Sequence, residues 1–302
     1  MDIAYVRQTL EEIVGPQHVR VGESMIDHTT FDIGGLADVY VIPQSVDQVI
    51  SIVKTLKALN VELRVIGYGS DLLVCDEGLH CVVMQINKNL SAISCKGTTM
   101  HVQAGASNGA VARAALSYEL TGYEFASGIP GTIGGAAIMN AGAYGGEFKD
   151  VAVSLECVTP DGALVTISRD EANWSYRHSM MDDSGLIVVG ATLELRRGQA
   201  DSIKSRMDEL KAMREEKQPL DKPSAGSTFK RPEGYFAGKL IQDAGLRGYQ
   251  VGGAQVSCKH TGFVINAGNA TAHDVLQLIQ DVQNRVYEQF GVMLEPEVRM
   301  WR

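Results

Sequence analysis

The most constraining feature of this sequence is a long glycine-rich segment near its middle that carries no charge. From Phe125 to Gly146 there is no charged side chain, yet seven of these residues are glycines. Glycine tolerates positive φ angles and lets another group approach the backbone closely, and successive free amides form a concavity that suits phosphate oxygens. The segment therefore predicts either a backbone cradle for an anionic ligand or a structural loop packed through its glycines.

Other interpretations of this segment are disfavoured. Its length approaches that of a bilayer span, but the glycines, Pro130 and Asn140 argue against a membrane helix. Neither G-x-G-x-x-G nor G-x-x-x-x-G-K-[ST] occurs anywhere in the chain. A Rossmann dinucleotide site and a Walker phosphate loop therefore both lack their sequence fingerprints.

Composition and charge limit the class of partner. The 302 residues carry a formal net charge of −9 and no long run of Lys or Arg, which argues against nucleic acid or an anionic membrane surface as a partner. The five cysteines are irregularly spaced, and an odd number fits a reducing compartment better than a disulfide scaffold. The histidines show no metal-ligand spacing, and the first residues do not resemble a signal peptide. We therefore predict a cytoplasmic protein without a metal site, and we predict no protein partner.

Hydrophobic periodicity divides the chain into three predicted parts. Residues 1–80 are predicted as an α/β unit, 81–198 as an α+β unit and 199–296 as a C-terminal part, with 297–302 a strand that is a candidate to return to the first. The predicted helices are 1–14, 46–59, 108–120, 199–216, 236–245 and 272–290. The predicted strands are 39–42, 64–66, 81–86, 100–103, 151–159, 163–167, 186–196 and 262–265, with a hairpin turn at Asp161-Gly162.

Another glycine loop follows the predicted strand at 64–66, and because it comes earlier in the chain it is called the first glycine loop and the Phe125–Gly146 segment the second. The first loop runs from Gly67 to Leu73 and has the sequence GYGSDLL. Strand–glycine turns are common, so this loop alone is a weak signal. Two such loops on two α/β units are more telling, because a pyrophosphate between them would be held by both sets of amides.

These segments together resemble the UDP-N-acetylenolpyruvoylglucosamine reductase (MurB) family, within the superfamily of flavoenzymes of the vanillyl-alcohol-oxidase type. The chain is similar to the shorter, second type of that family, since the segment before Arg196 passes directly into a helix. The resemblance covers nearly the whole chain, and its seven segments follow the family's order. They are 30–35 (TFDIGG), 67–73 (GYGSDLL), 127–135 (SGIPGTIGG), 140–146 (NAGAYGG), 176–177 (YR), 225–230 (AGSTFK) and 294–299 (LEPEVR).

The resemblance implies an α+β fold with a two-part FAD-binding domain and a C-terminal α/β substrate-binding domain. It implies FAD as cofactor and NADPH as reductant. The family usually has Gly-Ser-Asn in the first loop, where this chain has Asp71, and an aspartate lacks the side-chain donor of an amide. The FAD-binding residues that carry over are Gly67, Tyr68, Gly69, Ser70, Asp71, Leu72, Gly128, Ile129, Pro130, Gly131, Thr132, Gly134, Gly135, Asn140 and Gly142.

Three residues carry over as the catalytic set, namely Ser227, Arg177 and Glu297. From sequence alone each has an ordinary interpretation, as a turn serine, a surface arginine and a solvated glutamate beside a proline. In the family the serine position is a proton donor, and a hydroxyl can protonate a carbanion-like carbon. The arginine and glutamate positions stabilise an enolate, and a guanidinium suits that task because it binds such oxyanions in a fork geometry.

Four residues carry over as substrate-binding positions: Tyr176, Arg214, Lys217 and Arg299. Local cations of this kind would let an acidic protein bind a dianionic UDP-sugar. For Arg214 and Lys217 the alternative is a solvated helix end, where cations are favoured anyway.

The reaction that the resemblance implies is the NADPH-dependent reduction of UDP-N-acetylglucosamine enolpyruvate to UDP-N-acetylmuramate through FAD. This is a step of peptidoglycan precursor synthesis, which bears on cell shape and division. Two other functions stay open at this point. One is an FAD oxidase of the same fold that acts on a sugar or hydroxy acid, and the other is a UDP-sugar-binding protein without catalytic activity.

Overall fold

The structure is a computed structural model that describes residues 1–302. As far as the second glycine loop, the elements in chain order are α1 (Ile3–Val14), β1 (Val19–Ser24), β2 (Leu36–Val41), α2 (Val46–Ala58), β3 (Leu63–Ile66), β4 (Leu72–Val74), β5 (Leu79–Gln85), β6 (Ile93–Lys96), β7 (Thr99–Gln103), α3 (Asn108–Ser117) and β8 (Leu120–Thr121). The remaining elements are α4 (Ile133–Ile138), β9 (Gly142–Ala143), β10 (Gly146–Glu147), β11 (Ala152–Val158), β12 (Leu164–Ser168), α5 (Met180–Ser184), β13 (Ile187–Glu194), β14 (Arg196–Arg197), α6 (Ala200–Lys217), α7 (Ala237–Asp243), β15 (Gln250–Val251), β16 (Ala254–Val256), β17 (Val264–Asn266), α8 (Ala272–Phe290) and β18 (Arg299–Trp301).

The chain divides into two compact units, each made of three stretches of sequence. Unit 1 comprises Met1–Val21, Val39–Tyr68 and Cys81–Met213, and unit 2 comprises Gly22–Asp38, Gly69–His80 and Arg214–Arg302. Each unit has its own cluster of buried apolar side chains. The division into 1–80, 81–198 and 199–296 stays a prediction.

Two sheets dominate the first two thirds of the chain, from β1 to β13. One has four strands in the order β1-β2-β5-β3, and its last two strands are parallel. The other has five antiparallel strands in the order β12-β11-β13-β7-β6. The hairpin turn predicted at Asp161-Gly162 is confirmed, because β11 and β12 pair as far as Val158 and Leu164 on either side of it.

Side-chain caps explain where two of the helices begin. Ser45 caps α2 by accepting a hydrogen bond from the Gln48 amide, as its position before an apolar stripe predicts. Thr271 and Asp274 form a capping box at the start of α8. The bounds predicted for α8 are confirmed, and its buried face is formed by Val275, Leu278, Ile279, Val282 and Val286.

Unit 2 contains a three-stranded antiparallel sheet, β15-β16-β17, and a short parallel pair, β4 and β18. In that pair Leu72 is the partner of Arg299 and Val74 is the partner of Trp301. The residues that follow the first glycine loop are therefore held by the last strand of the chain.

Several predicted bounds are wrong, and several strands were missed. The helix predicted over 108–120 ends at Ser117, because Glu119 takes a left-handed conformation with φ of 56°. The strand predicted at 262–265 is Val264–Asn266, and the one at 186–196 breaks after Glu194. The structure adds strands that were not predicted, namely β1, β4, β6, β8, β9, β10, β15 and β16. None of the helices combines the length and the apolar character that crossing a bilayer would require.

Candidate active site

The first glycine loop connects β3 to β4, and its main chain is fixed by close neighbours. Gly69 has φ of 58°, and a Cβ at this position would overlap the carbonyl oxygen of His28. The amide of Thr30 donates to the Gly69 carbonyl at 3.2 Å, and the amide of Arg299 donates to the Asp71 carbonyl at 3.0 Å. Only glycine fits at position 69, because any side chain would meet main-chain atoms that cannot move aside.

The second glycine loop ends in an isolated antiparallel bridge in which Thr132 faces Ser107. The bridge is flanked by a hydrogen bond from the Asn108 amide to the Gly131 carbonyl, 3.2 Å long. The Asn108 side chain accepts a further bond from the Tyr123 hydroxyl at 2.9 Å. In a pair of this kind the flanking residues make the ladder bonds, so the amide of Thr132 points out of the bridge.

The main-chain amides that follow Thr132 donate to acceptors within the protein. The Gly134 amide donates to the Ala104 carbonyl at 2.8 Å, and the Gly135 amide donates to Thr132 Oγ1 at 3.4 Å as the cap of α4. The glycine segment is therefore not a loop throughout, since a short helix begins inside it. Gly134 and Gly135 offer a ligand space rather than hydrogen-bond donors.

Within unit 1 the two loops contact each other beside a cavity. A Cβ on Gly67 would overlap Thr132 Oγ1, and Gln85 Nε2 donates to the Gly67 carbonyl at 3.4 Å. The cavity has a volume of about 410 Å³. Its lining is largely aliphatic, and the lining residues are Val53, Leu56, Lys57, Val61, Leu63, Val65, Ile66, Gly67, Ile86, Ala104, Thr132, Gly134, Gly135, Ile138, Pro160, Gly185, Leu186, Ile187 and Val188.

This cavity fits one end of a dinucleotide cofactor such as FAD. Its volume lies in the range of small-molecule sites, which combine apolar walls with a few polar groups. Glycines from both loops line it, so main chain replaces side chains where a ligand would approach most closely. The residues present therefore fit FAD, with the two loops as its support.

Two of the predicted catalytic residues lie on paired segments of unit 2. Ser227 pairs with Phe263, and Phe229 pairs with Pro296, in isolated antiparallel bridges. The amide of Glu297 donates to the Thr228 carbonyl at 2.8 Å. Main-chain hydrogen bonds thus hold the Ser227 and Glu297 segments next to each other, and both residues are half-buried.

Thr30 joins the first glycine loop to the segment that carries Ser227. Its amide donates to Gly69, its Oγ1 donates to the Ser224 carbonyl at 2.7 Å, and its carbonyl accepts from the Ser224 amide at 2.9 Å. A single residue therefore fixes the position of both segments. Sequence reasoning included Thr30 in a motif but assigned it no function.

Arg177, the third predicted catalytic residue, belongs to unit 1. It lies in a tight turn, has φ of 55°, and its Nη2 donates to the Gly142 carbonyl at 3.2 Å. The Arg177 guanidinium carbon lies 4.9 Å from the centre of the Tyr176 ring, which is exposed. Asn140, predicted as a cofactor ligand, is fully buried.

The predicted substrate cations occupy two places in unit 2. Arg214 and Lys217 lie in the last turn of α6, where the Lys259 ammonium donates to the Glu215 carbonyl at 2.6 Å. Arg299 begins β18, next to Asp71 of the first loop. The roles of these cations stay predictions.

His260 is a half-buried group beside Phe263, the bridge partner of Ser227, and sequence reasoning assigned it no role. Its Nδ1 accepts a hydrogen bond from the Gly262 amide at 3.1 Å, and its ring meets Phe263 edge-on at 5.0 Å. Burial lowers the pKa of the imidazole, so it is neutral at neutral pH with its proton on Nε2. Its surroundings in the sequence are polar and gave no sign of burial.

Similarity to known proteins agrees with this geometry. Residues 37–168 match the FAD binding domain family, and residues 218–301 match the family described as UDP-N-acetylenolpyruvoylglucosamine reductase, C-terminal domain. A 4-ethylphenol oxidase from Gulosibacter chungangensis shares the fold at 16% identity, with a TM-score of 0.50 over 64% of this chain and 42% of its own. The fold is thus that of the vanillyl-alcohol-oxidase-type flavoproteins, as the sequence predicts.

Two closer relatives define the family. The UDP-N-acetylenolpyruvoylglucosamine reductase of Agathobacter rectalis is 52% identical over 98% of this chain and 99% of its own length. The crystal structure of MurB from Thermus caldophilus superposes with a TM-score of 0.82 at 34% identity, covering 94% of this chain and 100% of its own. The chain belongs to the UDP-N-acetylenolpyruvoylglucosamine reductase family, and it is an FAD-dependent oxidoreductase.

Proposed function

We propose that this chain catalyses the NADPH-dependent reduction of UDP-N-acetylglucosamine enolpyruvate to UDP-N-acetylmuramate, with FAD as its cofactor. The observation that carries this proposal is near-full-length similarity to reductases that are named for this substrate. The reaction is a step of peptidoglycan precursor synthesis, and we place it in the cytoplasm.

FAD, when bound, would carry hydride from NADPH to C3 of the enolpyruvyl group. The protein would supply binding, orientation and charge. The two glycine loops and the cavity beside them would hold the cofactor, and Arg214 and Lys217 would bind the diphosphate of the substrate. Tyr176 and Arg299 would complete the substrate pocket.

Ser227 would deliver a proton to C2 of the substrate after hydride reaches C3. A hydroxyl can act as the acid when it is held within hydrogen-bond reach of the carbon. The main-chain bridges on either side of Ser227 support this role, because they leave its backbone little freedom.

Arg177 and Glu297 would stabilise the enolate that precedes this protonation. Arg177 is permanently charged and can place two donors on one carboxylate-derived oxyanion. Such stabilisation is effective when the donors are already oriented before the reaction. Glu297 would act beside Ser227, to whose segment its own amide is bonded.

The activity itself is tested by anaerobic absorbance spectroscopy. The flavin should bleach with one equivalent of NADPH and regain its absorbance only when UDP-N-acetylglucosamine enolpyruvate is added. A reduced flavin that does not react with this substrate but is quickly reoxidised by oxygen would favour the FAD oxidase. A protein that binds UDP-sugar and cannot be loaded with flavin would favour the non-catalytic alternative.

The role of Ser227 is tested by measuring the two half-reactions separately in Ser227→Ala. Reduction by NADPH should be unchanged, whereas reoxidation by the substrate should slow by about 10²–10⁴-fold, the usual range for general acid catalysis. Ser224→Ala is the matched control, since Ser224 binds Thr30 through its main chain. Equal reoxidation rates in the two variants would exclude Ser227 as the proton donor.

A further inference from the structure

Asn140 is a buried hub that connects two parts of unit 1. Its Nδ2 donates to Glu147 Oε2 at 3.0 Å and to the Ser175 carbonyl at 2.9 Å, and its Oδ1 accepts from the Lys149 amide at 3.0 Å. An asparagine side chain has two N–H donors, so both are used inside the protein. The side chain therefore serves the protein's own structure at this position rather than a ligand.

The segment that Asn140 holds at Ser175 is the turn that carries Arg177. The turn is closed by two main-chain hydrogen bonds between Ser175 and His178, of 3.0 and 3.4 Å. Arg177 takes a left-handed conformation with φ of 55°, which is strained for a long side chain and persists only where the surroundings enforce it. Such strain concentrates at functional sites.

Helix α4 anchors the residues on both sides of this turn. Trp174 Nε1 donates to the Ala137 carbonyl at 2.7 Å, and Ser179 Oγ donates to the Ile138 carbonyl at 2.7 Å. Because α4 begins at Thr132 of the second glycine loop, one short helix links the loop beside the cavity to the turn of Arg177. The backbone of the turn is therefore fixed from outside as well as by its own bonds.

The β9–β10 hairpin fixes the other end of Arg177, its guanidinium group. The Gly142 carbonyl on β9 accepts the bond from Arg177 Nη2, and Glu147 on β10 carries a carboxylate that acts on the same cation. Partial burial acts to raise the pKa of Glu147, but hydrogen bonds from Lys149 and Asn140 and the charges of Lys149 and Arg177 outweigh it and lower the pKa. Glu147 is also the strand partner of Gly142, so its carboxylate belongs to the residue paired with the one that binds the Arg177 guanidinium.

We propose that Asn140 and Glu147 are positioning residues for Arg177. Asn140 fixes the turn, while Glu147 and the Gly142 carbonyl form a socket for the guanidinium. This inference rests on the proposed function, in which Arg177 stabilises the enolate. A cation whose place is set before the substrate binds needs no reorganisation during the reaction, which is the condition under which such stabilisation is largest.

The first test is the half-reaction analysis of Glu147→Gln and Asn140→Ser. Both variants should keep their FAD and be reduced by NADPH at the wild-type rate. Reoxidation by substrate at saturation should fall about tenfold or more, with little change in KM, because an interaction of the transition state is lost. Lys149→Met is the matched control, because it removes an exposed partner of the same carboxylate and should change the rate by less than about twofold.

The second test asks whether the socket exists without the Arg177 side chain. Guanidinium added to Arg177→Ala should restore part of the substrate-driven reoxidation, with a saturating concentration dependence. The apparent Kd of guanidinium should rise about tenfold when Glu147→Gln is added, a change that a merely structural role of Glu147 would not produce.

The outcomes separate this inference from the proposed function. If the wild-type flavin is not reoxidised by the enolpyruvyl sugar, the proposed function fails. If the wild type reacts, the positioning role is overturned by wild-type rates in both Glu147→Gln and Asn140→Ser, or by a lack of guanidinium rescue in Arg177→Ala. If guanidinium rescues Arg177→Ala equally well with and without Glu147→Gln, Glu147 is not part of the socket.

Discussion

At Gly69 of the first glycine loop an added Cβ would meet main-chain atoms, whereas at Gly134 and Gly135, where the second loop continues into α4, it would meet side chains. A Cβ on Gly69 would overlap the His28 carbonyl, while one on Gly134 would lie 3.2 Å from Ala104 Cβ and one on Gly135 would lie 3.8 Å from Thr132 Oγ1. Side chains can move by a few tenths of an ångström, and a paired main chain cannot. Glycine is thus required by the fold at position 69, and it leaves space for a ligand at positions 134 and 135, which line the cavity.

The largest effect is expected for Gly69→Ala. The left-handed conformation costs an alanine about 1–2 kcal/mol, and the overlap with His28 adds about 1–3 kcal/mol. We therefore expect the free energy of unfolding of the FAD-free protein to fall by about 3 kcal/mol, as measured by urea denaturation.

Gly97→Ala is the matched control for Gly69→Ala. Gly97 has a similar φ of 68°, but no atom lies within 4 Å of its would-be Cβ. It should lose only the conformational part, about 1–2 kcal/mol. Equal losses in the two variants would refute the steric argument for the first loop.

A smaller effect is expected for Gly67→Ala, where the overlap is with a side chain. Overpacking against Thr132 should cost about 1–3 kcal/mol, and Thr132→Ala alone should cost about 1 kcal/mol through loss of the α4 cap. The double variant should lose at least about 0.5 kcal/mol less unfolding free energy than the sum of the losses in the two single variants. Strict additivity in denaturation experiments would show that the loops do not press on each other at this point.

The smallest effect on folding, and of opposite sign, is expected for Gly135→Ala. An alanine inside α4 should stabilise the FAD-free protein by up to about 1 kcal/mol, the usual difference from glycine. Because Gly135 lines the cavity, the same methyl group should weaken FAD binding, seen as faster release of fluorescent free flavin. A variant that is stabilised and retains FAD as the wild type does would place the cofactor away from Gly135.

The sequence predicted those parts of the fold whose cause is local. Helix α8 has a capping box and a regular apolar stripe, and the β11–β12 turn has Gly162 at a positive φ of 74°. Strand β4 has only three residues, which is too few for any periodicity to show. Its register with β18 is fixed by contacts between distant parts of the chain.

The candidate site was predictable in its residue types but not in its hydrogen bonds. The motifs around Ser227 and Glu297 indicated these residues, yet nothing in the sequence shows that their segments pair through Thr228. Asn140 was predicted as a cofactor ligand from the family resemblance, and that role stays a prediction. Its side-chain amide donates to the Ser175 carbonyl, 35 residues away, and such a partner is set by tertiary structure alone.

The way unit 2 is assembled from three stretches has a consequence for folding during translation. Thr30 binds Ser224 across 194 residues, and Asn266 Nδ2 binds the Phe31 carbonyl across 235 residues. Phe31, Ile33 and Leu73 belong to an apolar core whose other members come mainly from the third stretch, so a nascent chain exposes them until that stretch has been synthesised. Unit 1 has all its residues by Met213. We therefore expect the newly made chain to mature in two stages, with the first glycine loop made early and completed late, once Arg299 is available to Asp71.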